Sequence, residues 1–242
     1  ALTQLTAEAC YLIGRGFGSV LRERTKKDHP TVVVGRDART HGLELEEQVI
    51  AGLISTGCNV EKMGMTPSPI NYFTICNRKL DGGVQVTASH NPKDDNGLKL
   101  QIEHAEAYAG NDLQVLRERI EKEDFMDGQG SVSAIEAIPD YIAHITKMFP
   151  EAAAGLKVAV DSGNGVAGPT YVQAIEEIGA TVSGLYIEPD GTFPNHAADP
   201  SKHATLKDLQ ALVIKEKLDI GLAFDGDGDR LGVVDDQGNI LS

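Results

Sequence analysis

Two short stretches of this chain carry residue types that do chemistry. The first is Val86-Thr-Ala-Ser-His-Asn-Pro92, with Ser89 at its tip, His90 and Asn91 beside it, and Pro92 stiffening the exit. A serine hydroxyl is a weak nucleophile and needs a base, a metal or an attached phosphoryl group before it takes part in group transfer. The nucleophile elbow of acyl-transfer hydrolases does not match, because Thr87 and Asn91 stand where its glycines would be. A polar turn is the plain alternative, since short motifs recur by chance. Lys99 on the next predicted strand could set a cation beside a phosphate on Ser89, or serve as a solvated strand lysine.

The second stretch is Asp225-Gly-Asp-Gly-Asp-Arg230. Carboxylates this close repel one another, and without a cation their pKa values rise. Gly226 and Gly228 let the backbone fold tightly enough for the three side chains to converge. Oxygen donors without His or Cys suit Mg²⁺, which keeps coordination positions open for water or phosphate oxygen. A calcium-binding EF-hand loop fits poorly. Counted from Asp225, its glycine position holds Arg230 and its closing glutamate position holds Asp236, and the loop leaves a strand instead of a helix. A surface acidic turn is the other alternative. Arg230 either pairs with these aspartates or faces a phosphate beyond the cation.

The elements that must position these loops alternate. A helix is predicted over 6–27, capped by Thr6, followed by strand 31–35, helix 43–56 ending at Gly57, strand 60–63, helix 70–78, strands 83–87 and 98–102, and helices near 111–122 and 139–149. The pattern then restarts with strand 156–160, helix 167–178, strand 181–185, helix 204–217, strand 219–224 and a hairpin of 231–234 with 240 onward. Strand–helix alternation predicts an α/β fold: two tandem βαβ-type domains with mixed, largely parallel sheets and helices on both faces. The Gly- and Ser-containing break near 131–140 divides them into 1–135 and 136–242. Val32-Val-Val-Gly35 corresponds to Val158-Ala-Val-Asp161, and Leu53, Gly57 and Val60 to Ile175, Gly179 and Val182, as in an internal repeat.

Bulk properties narrow the function. The 242 residues suffice for two domains, and 41% apolar content suffices for real cores. A net charge of −14 argues against nucleic acid and anionic membranes as partners. No apolar run is long enough to span a bilayer. Cys10, Cys58 and Cys76 are odd in number and widely spaced, which suits reduced thiols and a cytoplasmic protein.

The two loops in this order, together with Gly35-Arg-Asp-Ala-Arg39, Asn96-Gly-Leu-Lys99, Asp161-Ser-Gly-Asn-Gly165 and Phe193-Pro-Asn-His196, resemble the α-D-phosphohexomutase superfamily, most closely its bacterial phosphomannomutase/phosphoglucomutase branch. The resemblance covers nearly the whole chain as the first two domains of that architecture. It implies reversible interconversion of hexose 1-phosphate and hexose 6-phosphate through a phosphoserine and a hexose 1,6-bisphosphate. Ser89 would carry the phosphoryl group. Asp225, Asp227 and Asp229 would hold Mg²⁺ with a phosphoserine oxygen. His90, Lys99 and Arg230 would surround the transferring group, with Lys99 a candidate for acid–base assistance. Asn91, Arg36 and Arg39 would contact substrate phosphate.

Several positions depart from the pattern. Asp95 stands where a tyrosine is common and Leu98 where an aromatic is common, and the family's opening strand motif is not among these residues. The resemblance also implies a third, sugar-reading domain and a fourth, phosphate-binding domain, neither within these 242 residues. A phosphoglucosamine mutase of the same superfamily, a non-catalytic metal- or phosphate-binding module, and a phosphatase with an aspartate nucleophile are the competing readings.

Overall fold

Val32, Val33 and Val34 are all fully buried, as a strand covered on both faces requires. They form the centre of β1 (Thr31–Arg36). Val32 and Val34 face a core built with α1 (Ala7–Thr25) and α2 (Gly42–Ile54). Val33 faces the other way, towards Ile75 of α3 (Ser68–Arg78) and Leu80. The period-two alternation of a strand thus puts helices on both faces. The computed structural model describes residues 5–241, which group into two units.

The first unit comprises Ala1–Arg36, His41–Thr87 and Asp94–Ala137. Its sheet has the order β4-β3-β1-β2-β5, where β2 is Asn59–Met65, β3 Gly82–Val86, β4 Leu98–Ile102 and β5 Val132–Ala134. All pairings are parallel except β3 with β4. α4 (Asn111–Glu121) packs against α1. Thr6 accepts a hydrogen bond from the Ala9 N–H at 3.1 Å and so caps α1, as its position predicts. Met63 and Gly64 mark a register irregularity against β1, which lets β2 run to Met65, beyond the predicted 60–63.

The second unit comprises Asp37–Thr40, Ala88–Lys93 and Ile138–Ser242. Its elements are α5 (Ile138–Met148), β6 (Lys157–Asp161), α6 (Gly168–Glu177), β7 (Thr181–Leu185), α7 (Lys207–Glu216), β8 (Ile220–Phe224), β9 (Leu231–Asp235) and β10 (Ile240–Leu241). The sheet order is β10-β9-β8-β6-β7. β6 pairs in parallel with β7 and β8, and β8 runs antiparallel to β9. The first unit's β4-β3-β1-β2 arrangement recurs here as β9-β8-β6-β7. Ala159 and Ala223 face Leu209 and Val213 of α7, while Phe224 meets Tyr171 of α6 edge-on, with ring centroids 4.8 Å apart.

Two predicted boundaries shift for local reasons. Pro69 sits in the first turn of α3, where its missing N–H costs no helical bond, so the helix starts at Ser68 and not near 70. The predicted helix 204–217 opens with a single 3₁₀ turn, His203–Leu206, before α7. β5 falls inside the predicted interdomain break. All three of its residues are exposed, so no alternation announces it; backbone bonds from Val60 to Ser131 and from Ile135 to Lys62 hold it.

The crossing of α1 and α2 depends on two glycines. A Cβ on Gly14 would strike the Val49 carbonyl oxygen, and one on Gly52 would strike the Tyr11 carbonyl oxygen. Gly14→Ala is expected to cost about 1–3 kcal/mol by overpacking this contact, lowering the thermal midpoint by several degrees in circular dichroism. An unchanged midpoint would show that the crossing can open freely.

Candidate functional site

The acidic loop begins where β8 ends. Asp225 and Asp227 are fully buried, and Asp229 lies at the rim. Asp225 organises the turn with its own carboxylate: Oδ1 accepts the backbone N–H groups of Asp229 (3.0 Å) and Arg230 (3.1 Å). Gly228, at φ +75°, donates its N–H to the Asp225 carbonyl at 3.1 Å. The fold brings one carboxylate oxygen from each of Asp225, Asp227 and Asp229 within 4.8 Å of the others. Arg230 Nε lies 3.9 Å from Asp225 and 4.0 Å from Asp229, with its side chain about half exposed.

Burial raises the Asp225 pKa to about 6, and the neighbouring Asp227 charge adds to the effect. Such a group favours a proton or a cation over bare negative charge. An all-carboxylate donor set without nitrogen or sulfur fits a hard divalent ion.

Ser89 belongs to the same unit as these aspartates. Its hydroxyl donates to Asp225 Oδ2 at 2.5 Å. Ser89 is 9% exposed and has φ +52°, a left-handed conformation that costs a non-glycine residue about 1–3 kcal/mol. The turn is closed by the Asn91 N–H on the Ala88 carbonyl at 2.9 Å. A Cβ at Gly226 would lie 2.5 Å from the Ser89 carbonyl oxygen, so glycine there lets the two loops approach. A cavity of about 190 Å³ beside Ser89 is lined by Asn91, Lys93, Thr192 and Phe193 among others.

The remaining predicted residues are distributed as follows. Arg39 is 1% exposed and directs its guanidinium at Asp37 and at the carbonyls of Ser89, Asn91 and Pro92. The resemblance implies Arg39 at substrate phosphate; these four N–H donors point into the loop itself. His90 is half-buried, and its Nδ1 is shielded from solvent without a hydrogen bond. Asn91 is exposed. Lys99 and Arg36 lie in the first unit: Lys99 on β4, paired with Gln85, and Arg36 at the end of β1 with Nε 3.5 Å from the buried Glu46 carboxylate.

Other groups support the acidic loop without having been assigned individual roles from sequence. Tyr171 donates its hydroxyl to the Gly228 carbonyl at 2.8 Å. A Cβ at Gly165 would come within 3.0 Å of the Asp225 carbonyl. Asp161 accepts the Gly163 N–H at 2.8 Å and pairs with His196 Nε2 at 2.9 Å. Asn195 donates to Asn164 at 2.8 Å. The Asp161–Gly165 and Phe193–His196 motifs therefore lock onto each other. Asp161 raises the His196 pKa, so this pair stabilises most at low pH and its contribution fades as pH rises through the raised value.

Comparison with known proteins agrees with this architecture. The family description "Phosphoglucomutase/phosphomannomutase, alpha/beta/alpha domain I" matches residues 1–127, and that of domain II matches residues 139–238. The chain belongs to the phosphoglucomutase/phosphomannomutase family. It is 48% identical over 237 residues to a phosphomannomutase/phosphoglucomutase of Pseudomonas aeruginosa, covering 98% of this chain and 50% of that protein. It is 41% identical to a phosphoglucomutase of Neisseria meningitidis serogroup B over 239 residues, 98% of this chain and 51% of that one. A crystal structure of a phosphoglucomutase/phosphomannomutase family protein from Burkholderia thailandensis superposes with a TM-score of 0.92 at 37% identity, covering 97% of this chain and 52% of that one. The chain thus spans about half the length of the relatives it matches.

The raised Asp225 pKa has a measurable sign. Between its unfolded value near 3.8 and about 6, the folded protein holds the extra proton, so its contribution to stability falls as pH rises through that window in metal-free buffer. Wild type minus Asp225→Asn stability should therefore fall between pH 4 and 6, as read from denaturant midpoints. A difference independent of pH would show that Asp225 titrates normally.

Proposed function

We propose that this chain carries the phosphoryl-transfer chemistry of a phosphosugar mutase, with Ser89 as the carrier. The observation behind this reading is the 2.5 Å hydrogen bond from Ser89 to one of three clustered carboxylates. A phosphoryl group on Ser89 would add roughly −1.5 to −2 charges beside three acids. Only a cation between them makes that neighbourhood tolerable, and the donor set suits Mg²⁺ held by Asp225, Asp227, Asp229 and a phosphoserine oxygen. When bound, the ion supplies electrostatic stabilisation of the transferring group.

The chain's own residues do the rest. In the capture step the Ser89 Oγ–P bond forms as the sugar O–P bond of a hexose 1,6-bisphosphate breaks. Ser89 gives up its hydroxyl proton and the departing sugar oxygen takes one up, with Lys99 the candidate for this acid–base exchange. His90 and Arg230 flank the group in flight, and Asn91 and Arg36 serve the substrate phosphates. Reversal onto the other hydroxyl of the sugar gives the interconversion of hexose 1-phosphate and hexose 6-phosphate. Catalysis here is positioning and charge stabilisation.

Residues 1–135 and 136–242 are read as domains 1 and 2 of the phosphohexomutase architecture. Glucose and mannose phosphates are the favoured substrates, because relatives covering nearly all of this chain carry both names. Free cysteines at Cys10, Cys58 and Cys76, and the lack of any described helix long and apolar enough to cross a membrane, suit a cytoplasmic setting.

The deciding experiment is intact-mass analysis after exposure to glucose 1,6-bisphosphate and Mg²⁺. Wild type is expected to gain one phosphoryl group, and Ser89→Ala none. Absence of label on wild type would favour a binding module, while label on an aspartate with hydrolysis retained in Ser89→Ala would favour a phosphatase.

A further inference from the structure

Within the second unit, Asp37–Thr40 lies against the serine loop, and the contact is built around one buried guanidinium. Arg39 Nη2 donates to the carbonyls of Ser89 (2.9 Å) and Asn91 (2.8 Å), and Nη1 donates to that of Pro92 (2.5 Å). Three carbonyl dipoles from four consecutive residues thus converge on one side of the turn. Converging dipoles repel unless a donor-rich cation sits among them, and only arginine offers a planar fork of five N–H groups.

The guanidinium is itself held on its other edge. Asp37 Oδ2 accepts its Nε–H at 3.0 Å, and Asp37 Oδ1 accepts the Arg39 backbone N–H at 3.0 Å. Both side chains are fully buried, so the pair is sealed and charge-balanced. The Phe193 ring covers the guanidinium at 5.5 Å. Gly191, which has no Cβ to strike the Ala38 carbonyl, lets its backbone press on the Asp37–Thr40 segment. The Ser89 carbonyl is therefore gripped by Arg39, with the Gly226 backbone close beside it.

We infer that Arg39, oriented by Asp37, is the positioning residue of the serine loop. It holds Ser89 in its left-handed conformation and so aims Oγ at Asp225, and it does not act as a ligand for substrate phosphate. The inference rests on the phosphoserine reading for its catalytic consequence, while the clamp itself is a property of the folded loop. Four of the five guanidinium N–H groups are committed to Asp37 and the loop carbonyls. Lysine at this position would keep the charge for Asp37 and lose the fork.

The test uses Arg39→Lys, with Asp37→Asn/Arg39→Gln as a second variant that removes both buried charges together if the first does not fold. Two measurements are made on each. One is the rate of Ser89 phosphorylation against glucose 1,6-bisphosphate concentration at fixed Mg²⁺. The other is hydrogen–deuterium exchange of residues 88–93 without metal or sugar, with β8 as the internal check on folding.

A clamp predicts that the saturating rate falls by about tenfold or more, while the half-saturating concentration stays within about twofold. Exchange in 88–93 should accelerate while β8 stays protected. A raised half-saturating concentration with the saturating rate retained, or unchanged exchange in 88–93, overturns the inference. Should wild type take no phosphoryl group at all, the phosphoserine reading fails, and the exchange measurement still decides whether Arg39 holds the loop.

Discussion

Asp225 and Asp227 lose contact with solvent while standing beside Asp229, and the second unit is arranged around that concentration of negative charge. Burying one carboxylate disfavours its charged form; clustering three multiplies the penalty. The loop offsets part of it internally, by turning the Asp229 and Arg230 N–H groups onto Asp225. What is left over is a standing affinity for positive charge, and Ser89 is placed where a group attached to its oxygen would share whatever cation answers it.

Holding that arrangement takes residues from well outside the loop. Tyr171 steadies the Gly228 carbonyl from α6, and Gly165 allows the 161–165 segment to pass close to Asp225. That segment is in turn tied to the 193–196 segment through Asp161 with His196 and Asn164 with Asn195. Phe193, from the same stretch, faces Arg39. Hydrogen bonds, joined at Phe193 and Arg39 by a cation–ring contact, thus run from the end of β6 to the serine turn, all within one unit.

Much of this was legible in the sequence. Strand–helix alternation gave both sheets, because Val32–Val34 and the 219–224 segment read as buried strands and Gly57 and Gly179 as helix stops. The two reactive loops stood out by residue type and spacing. Other features were not legible. β5 has three exposed residues and is defined by backbone bonds to β2 alone. The family resemblance implied Arg39 as a phosphate contact, and nothing local says that it also bonds carbonyls 50 residues or more away. Tyr171 carried no signal in the sequence, because the polar end of a tyrosine shows its use only once its hydroxyl has a partner.

The segments Asp37–Thr40 and Ala88–Lys93 group with the second unit although the chain on either side of each belongs to the first. Sequence order and structural membership therefore disagree where it matters most. A cut at the apparent seam after Ala137 would yield one fragment with Ser89 and Arg39, and another with Asp225, Asp227 and Asp229. Such a cut leaves the Ser89–Asp225 hydrogen bond spanning two polypeptides, because the second unit draws its segments from both sides of the seam.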